Sequence, residues 1–242
     1  MSNTPQSTDQ YQNTILRSLG DEIVDRLYLQ PIEFKTGQRI EEPGKTLKQL
    51  IFLENGMASM TTTFQNGTEV EVGMFGSESV IGVSALMGSI QSLNHVYTQI
   101  AGNGYRCNLK HAQTEFDRYG PFNRLCMRYV QAQLLQSSQS AGCAAMHSNE
   151  QRLARWLLIS ADRARVETFK MSQEFLSHML GSSRPTVSVV AGTLKKENLI
   201  DYTRGVLKIR DRTRLEARSC ECYQIVKNYL ANYAKFDTPH TS

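Results

Sequence analysis

The sequence predicts an α+β protein in which an N-terminal antiparallel β-roll precedes a long helix and a C-terminal helix-turn-helix with a wing. Short apolar segments separated by turn residues predict the roll. A helical pattern beginning near Pro121 predicts the long helix, and two helical patterns around Gly181 predict the helix-turn-helix. We expect a roll domain at 1–120, a dimerisation helix and hinge at 121–147, a winged-helix domain at 148–220 and a C-terminal extension at 221–242.

The strand segments of the first domain are rich in apolar or β-branched residues. The predicted strands are Ile32–Phe34, Gln49–Leu53, Ala58–Phe64 and Glu69–Met74, and the turns lie at Gly37, Pro43-Gly44, Asn55-Gly56 and Asn66-Gly67. Asn66-Gly67 is a strong hairpin signal because both residues tolerate positive φ. Regular short strands joined by such turns favour an antiparallel roll or barrel.

The long helical pattern can begin at Pro121, since proline is tolerated in a first helical turn. Its apolar residues recur at steps of three or four, at Phe122, Leu125, Tyr129, Ala132 and Leu135. We predict that this stripe pairs two copies of the chain around a twofold axis. A hinge at 147–150 follows, and then a helix that carries Leu153, Trp156, Leu157 and Ser160 on one face.

Residues 171–209 carry the most specific pattern of the chain. Ser172 is the expected N-cap of a helix Gln173–Leu180, whose apolar residues recur at helical spacing. Gly181 ends this helix, because glycine takes the left-handed conformation without a Cβ penalty.

A second helix and a hairpin follow the glycine. Ser183 or Arg184 caps the helix, Pro185 lies in its first turn, and the pattern continues to Lys196. The two-stranded wing consists of Asp201–Thr203, the turn Arg204-Gly205 and Val206–Ile209. Two short helices joined by a glycine turn can place the second helix in the major groove of DNA.

Gln173–Ser188 and Leu194–Ile200 together resemble the winged helix of Crp/Fnr-type (cyclic-AMP-receptor-like) bacterial transcription regulators. The likeness includes the turn glycine, the Ser-Arg helix start and the wing. Phe34–Ile40 and Ile51–Gly56 resemble the cyclic-nucleotide-binding roll of the same family. The resemblance implies a homodimeric, sequence-specific DNA-binding regulator whose double-stranded operator is an inverted repeat, with RNA polymerase as a further candidate partner.

The expected DNA-binding residues lie at the helix starts, on the second helix and in the wing. They are Ser172, Gln173, Ser183, Arg184, Pro185, Thr186, Ser188, Val189 and Arg204. Arg184 is the only long cation in the first two turns of its helix, so we expect it to contact a guanine O6/N7 edge bidentately. The free N–H groups at the helix starts favour phosphate, and Thr186 or Val189 suits a thymine methyl group.

The chain departs from the family where the ligand chemistry is expected. Functional members have a Gly-Glu pair for the ribose and an arginine followed by a small residue for the cyclic phosphate. Here Val83 follows Gly82, and no arginine occurs between Arg39 and Arg106. Because a buried phosphate without a cationic partner is costly, we expect an effector other than cyclic AMP.

The candidate effector-binding residues lie in this cassette and on the long helix. They are Gly82, Val83, Ser84, Ala85, His95, Ser137 and Ser138. The alternative interpretation of His95 is a polar residue at a strand edge without a role in effector binding. The alternative interpretation of Ser137 and Ser138 is that they weaken the pairing of the long helix with its partner helix.

The charge is distributed unevenly along the chain. Residues 147–218 contain 14 Lys and Arg against 8 Asp and Glu, whereas residues 1–146 contain 11 against 13. A basic C-terminal third is expected of a DNA-binding module. No apolar run approaches the length of a membrane span and the N-terminus lacks the pattern of a signal peptide, so we expect a cytoplasmic protein without a membrane partner.

Five scattered cysteines, with none before Cys107, argue against a disulfide framework and against the N-terminal iron–sulfur cluster of some family members. Cys220-Glu221-Cys222 suits a thiol switch or half of a metal site, but a zinc site usually needs four ligands, and no second pair is near in sequence. Incidental cysteines are the alternative. We therefore assign no metal and no cofactor.

The pattern contains no phosphate-binding glycine loop, paired-histidine metal motif or nucleophile elbow, so we expect no catalytic residues and no enzyme. Two alternatives remain beside an effector-controlled regulator. One is a constitutive DNA-binding regulator with a vestigial sensor domain, and the other is a roll-fold metalloenzyme, for which only His95 and His111 fall on the roll.

Overall fold

The computed structural model describes residues 8–235, so the ends of the predicted first and last segments, 1–7 and 236–242, lie outside the described residues. The helices are α1 (Thr14–Arg17), α2 (Asp21–Arg26), α3 (Leu109–Phe116), α4 (Pro121–Met146), α5 (Asn149–Ala164), α6 (Gln173–Leu180), α7 (Arg184–Lys196), α8 (Arg212–Arg218) and α9 (Cys222–Asn232). The strands are β1 (Gln30–Phe34), β2 (Arg39–Glu41), β3 (Gln49–Leu53), β4 (Met57–Thr63), β5 (Glu69–Phe75), β6 (His95–Ile100), β7 (Gly102–Asn108), β8 (Thr168–Lys170), β9 (Ile200–Thr203) and β10 (Val206–Ile209).

The predicted roll is confirmed as two antiparallel sheets, ordered β1-β7-β3 and β2-β6-β4-β5. The four predicted strands agree with the structure to within about two residues, whereas β2, β6 and β7 were not predicted. The hairpin between β4 and β5 turns at Phe64–Gly67, where the Gly67 N–H donates to the Phe64 carbonyl. Only Gly67 has positive φ there, so this loop is longer than the two-residue turn that the dipeptide suggests.

Helix α4 confirms the long helix and its start at Pro121, but its apolar stripe does not face outward. Phe122, Leu125, Tyr129 and Ala132 are buried in the core of the chain's own roll, together with α1, α3 and strand residues such as Phe52. The predicted dimer stripe is therefore wrong. Periodicity showed that one face of α4 is apolar, but the roll competes for that face and covers it.

The C-terminal domain has the predicted helices and one further strand. Leu153, Trp156, Leu157 and Ser160 of α5 are buried as expected, and the helix begins at the N-cap Ser148 after the break at His147. The wing is a three-stranded sheet, ordered β8-β10-β9, rather than the two-stranded wing expected. In β8 only Phe169 is buried, and a strand of three residues carries too little alternation to be recognised.

The two domains share a packed layer. Met57 and Met74 of the roll belong to the apolar core that surrounds α5, α6 and α7. Helix α9 then returns along α4, where Tyr233 contacts the Tyr129 ring and donates from its hydroxyl to the Glu78 carbonyl at 2.5 Å. Within 8–235, no helix is long and apolar enough to cross a membrane.

Candidate functional site

The helix-turn-helix is built by local hydrogen bonds at its helix ends. Ser172 Oγ accepts from the Phe175 N–H at 3.0 Å and caps α6. Gly181 ends α6 with φ 57°, as predicted. Ser183 rather than Arg184 caps α7, since its Oγ accepts from the Thr186 N–H at 3.3 Å. These caps fix the angle at which α7 leaves the turn, so its first turn is held against α6.

The predicted DNA-binding residues lie together on the outer surface of this unit. Ser172, Gln173, Ser183, Arg184, Pro185, Ser188, Val189 and Arg204 are exposed, and Thr186 is half-buried. The opposite face of α7 buries Val187, Ala191 and Leu194 in the domain core. Val189 is 70% exposed, and a Cβ placed on Gly192 would meet no atom within 4 Å. Val189 and Gly192 therefore form a small apolar patch on an exposed face that also carries Arg184 and Lys195.

Arg184 has a partner that sequence reasoning missed. Its guanidinium forms an ion pair with the Glu174 carboxylate on α6, and both side chains are more than half exposed. A pair this exposed contributes little free energy, so a DNA base or phosphate can compete for the guanidinium. The helical position of Glu174, opposite the start of α7, becomes visible only once both helices are placed.

The wing places Arg204 at the tip of a tight turn, where Arg204 has φ 51° and Gly205 has φ 75°. Two consecutive positive φ values are the geometry of a type I′ hairpin turn. Lys195 of α7 points toward the wing and donates from Nζ to the Tyr202 carbonyl at 3.0 Å. Lys195 therefore joins α7 to the wing, which leaves Arg204 as the more accessible cation.

Residues 151–218 match the Crp-like helix-turn-helix domain family. This segment runs from α5 to α8, so the helix-turn-helix and its wing are similar to those of Crp-type regulators. It is 22% identical over 209 residues to the global nitrogen regulator of a Synechocystis strain, covering 81% of this chain and 90% of that relative.

Solved structures support the same fold. A putative transcriptional regulator of the Crp/Fnr family from Eubacterium rectale superposes with a TM-score of 0.67 at 17% identity, covering 84% of this chain and 96% of that one. FixK2 from Bradyrhizobium japonicum superposes with a TM-score of 0.65 at 14% identity, covering 79% of this chain and 98% of that one. These likenesses show the arrangement of roll, long helix and winged helix.

In the cassette where the sequence predicted ligand binding, a carboxylate bonds to the hydroxyl and backbone groups that would otherwise bind an anion. Gly82 has φ 88° and begins the 3-10 turn Val83–Met87. The Glu41 carboxylate accepts from the Ser92 hydroxyl at 2.6 Å and from the backbone of Gly82, and burial, partly offset by these bonds, raises its pKa. A cavity of about 320 Å³ lies alongside, lined by Ile81, Glu41 and the cations Arg39, Lys45 and Lys48.

The predicted effector residues are distributed over this region without forming one lining. Ser84 is exposed, Val83 packs partly on the roll core, and His95 pairs with Thr61 across β4 and β6. Ser137 and Ser138 lie on α4 and do not line the cavity beside the cassette. The neighbouring Gln136 and Ser140 instead face a cavity between the domains.

That interdomain cavity, of about 90 Å³, adjoins a half-buried carboxylate that sequence reasoning missed. Glu71 of β5 accepts from Trp156 Nε1 of α5 at 2.7 Å and from the Ser59 hydroxyl at 2.6 Å. Burial raises the pKa of Glu71 to about 7, although both hydrogen bonds lower it. Arg155 donates to Ser140 at 3.0 Å, and its Nε has no hydrogen-bond partner among the described residues.

A second arginine joins the same domains. Arg163 of α5 is buried, lies 2.9 Å from the Glu78 carboxylate through Nε, and bonds Gln136 of α4. The contacts of Glu71, Arg155 and Arg163 connect roll, central helix and DNA-binding domain through polar groups. Their sequence positions carry no signal, because each partner is distant in the chain.

Proposed function

We propose that the regulator binds DNA in the cytoplasm as a homodimer and reads an inverted-repeat operator under the control of an effector other than cyclic AMP. The exposed face of α7 carries the proposal, since a buried recognition helix could not enter a groove. The DNA-binding residues proposed are those predicted from the sequence, with Arg184 as the base-reading cation. RNA polymerase remains a predicted partner.

A second face of α4 supports the dimer. Its exposed residues recur at alternating steps of four and three, the spacing of a coiled-coil seam. They are Met127, Gln131, Leu134, Ser138, Ala141 and Ala145. Met127 is 50% exposed and Leu134 is 66% exposed, and the two lie two helical turns apart along this seam. The small residues beyond Ser138 would let two helices approach closely.

Pairing through this seam would present two α7 helices to successive major grooves about 34 Å apart. An effector near Gly82–Ala85, His95 or Ser137-Ser138 would change the pairing of α4 or the contact of the domains. Coupling of about 1–3 kcal/mol would shift operator affinity tenfold or more. The polar contacts of Glu71 and Arg155 offer a route, since they connect β5 and α4 to α5.

The occupied cassette supports an effector other than cyclic AMP. The cyclic phosphate would have to displace the Glu41 carboxylate from the Gly82 backbone and the Ser92 hydroxyl. The cyclic phosphate and the Glu41 carboxylate would repel each other, and no arginine occurs between Arg39 and Arg106 to pair with the phosphate. The cations Arg39, Lys45 and Lys48 line the adjoining cavity together with Glu41 itself. We therefore expect cyclic AMP to leave the melting temperature and the operator affinity unchanged.

The experiment begins with selection of a DNA operator by the purified full chain and compares Leu134→Asp with Leu93→Asp. Both replace an exposed leucine, but Leu93 is 78% exposed on the roll, outside α4. Sedimentation should show a monomer for Leu134→Asp and a dimer for Leu93→Asp, and only the first should lose operator affinity. A monomeric variant that binds the operator at full affinity would contradict the dimer mechanism.

A constitutive regulator with a vestigial sensor is the competing proposal, favoured by the carboxylate that fills the cassette. Operator affinity measured with and without a small-molecule extract of the source cells separates the two. A change of tenfold or more supports effector control. Unchanged affinity, with a dimer that binds its operator tightly, supports the constitutive form.

A further inference from the structure

Four metal-ligating side chains meet at the break between α4 and α5. This hinge cluster consists of Cys143, His147, Cys220 and Cys222, whose ligand atoms all lie within 4.8 Å of one another. The Cys143 and Cys220 sulfurs are 3.5 Å apart, and the Cys222 sulfur is 3.6 Å from His147 Nδ1. The three cysteines are buried, and together they form a cluster separate from the two large cores.

The chain brings these residues together from two distant segments. Cys143 lies in the last turn of α4, and His147 is the C-cap of that helix, with its backbone N–H donating to the Cys143 carbonyl. Cys220 lies between α8 and α9, and Cys222 is the first residue of α9. No metal was predicted from the sequence, because only Cys220 and Cys222 are close together along the chain. The missing pair lies 77 residues earlier in the chain and next to it in space.

The spacing and chemistry fit zinc. Zinc binds thiolates at about 2.3 Å and imidazole at about 2.0–2.1 Å, so tetrahedral ligand atoms lie roughly 3.3–3.8 Å apart. The two measured contacts of the hinge cluster fall in this range. Three sulfurs and one imidazole form a Cys₃His set, in which four protein ligands close the coordination shell.

Neighbouring groups orient the ligands as they do around structural metals. Glu221 Oε2 lies 3.3 Å from His147 Nε2, which leaves Nδ1 facing the cluster. A carboxylate on the outer nitrogen fixes the tautomer of a metal-bound histidine. Gln139 Nε2 donates to the Cys222 sulfur at 3.1 Å, as expected next to a thiolate.

We propose that the hinge cluster binds one Zn²⁺ per chain through the three sulfurs and His147 Nδ1. Binding releases the three thiol protons to solvent and leaves the histidine neutral, so no redox step is involved. The bound ion joins the end of α4 to the segment between α8 and α9. It thereby fixes the hinge that sets the direction of the DNA-binding domain relative to the central helix.

The test uses the full chain purified without added metal or chelator. Elemental analysis should find about one zinc per chain. After exchange with Co²⁺, the absorption spectrum should show the intense bands of tetrahedral cobalt with sulfur-to-cobalt charge transfer. Cys143→Ser and Cys222→Ser should lose these bands. Cys126→Ser, which alters a buried cysteine of the roll core, should keep them.

Glu221→Gln should keep the four ligands and weaken metal affinity about 10–100-fold, because it changes only the group that orients His147. Glu221 is exposed, so this substitution should leave the fold intact. A loss of metal affinity in Glu221→Gln therefore cannot be attributed to misfolding, as a loss in the buried cysteine variants could be. Substoichiometric metal in the wild-type chain, with no cobalt bands after full reduction, would overturn the proposal. A Cys143–Cys220 disulfide found by mass spectrometry in the metal-free native chain would overturn it as well.

Discussion

Helices α7 and α4 differ in how much of their structure and packing the local sequence predicts. The bounds, caps and exposed face of α7 follow from Ser183, Pro185 and the apolar spacing within the helix. The start of α4 at Pro121 is equally clear, yet its apolar stripe packs on the roll and its exposed seam carries only two large apolar residues. Local signals therefore fix where a helix lies, whereas the partner of each face depends on segments far away in the chain.

The largest effect should come from the buried face of α4. Tyr129 is 1% exposed, and its hydroxyl accepts from Gln133 Nε2 at 2.6 Å. Tyr129→Asp leaves a cavity and buries an unpaired carboxylate, so we expect the free energy of unfolding to fall by about 4 kcal/mol or more. Denaturant unfolding followed by circular dichroism measures the loss.

The matched variant Leu134→Asp, five residues along on the exposed seam, should keep the native circular dichroism spectrum at 25 °C. The pair therefore separates the two faces of α4: one variant unfolds the chain and the other dissociates it. If Tyr129→Asp stayed folded and became a monomer, the dimer seam would be the apolar stripe first predicted rather than the exposed face of α4.

What the sequence could predict also depends on whether a contact is local or joins distant segments. Ser172, Gly181 and Gly205 act through turns of a few residues, so helix α6, the turn and the wing hairpin could be predicted. The contacts Glu71–Trp156 and Cys143–Cys220 join residues 85 and 77 positions apart. Nothing in either segment indicates the other. The interdomain polar layer and the hinge cluster therefore required the fold.

The interdomain layer should make stability depend on pH through Glu71. Below about pH 4.5 the carboxyl is protonated in both states, and its contribution is complete. Since burial raises the folded pKa to about 7, the unfolded chain releases this proton first as the pH rises. The free energy of unfolding should thus fall by about 1–3 kcal/mol between pH 4.5 and 7 and level off above.

Urea unfolding at pH 5, 6, 7 and 8 measures this dependence. Glu71→Gln should remove the decrease, whereas Glu33→Gln, at an exposed position of β1, should retain it. Identical pH profiles for wild type and Glu71→Gln would show that Glu71 is ionised in the folded chain at all four pH values.

On the exposed side of the comparison, Arg184→Ala should weaken binding to the selected operator by about 1–3 kcal/mol and relax the preference at one base pair. Glu174→Ala serves as the matched variant, because it breaks the same ion pair and leaves Arg184 in place. It should bind at least as tightly as wild type. Equal losses by Arg184→Ala on all sequences would show that Arg184 contacts phosphate rather than a base.

The smallest effect is expected at the wing. Arg204 is exposed at the turn between β9 and β10, so a phosphate contact there would carry charge but no sequence information. Arg204→Ala should reduce the slope of log K against log salt by roughly one unit, because one fewer counterion is released on binding. Lys110→Ala removes the same charge from an exposed site on α3 of the roll, so it controls for net charge and should keep the wild-type slope. If both variants have the wild-type slope, the wing lies outside the DNA interface, and α7 with the capped start of α6 must supply the phosphate contacts alone.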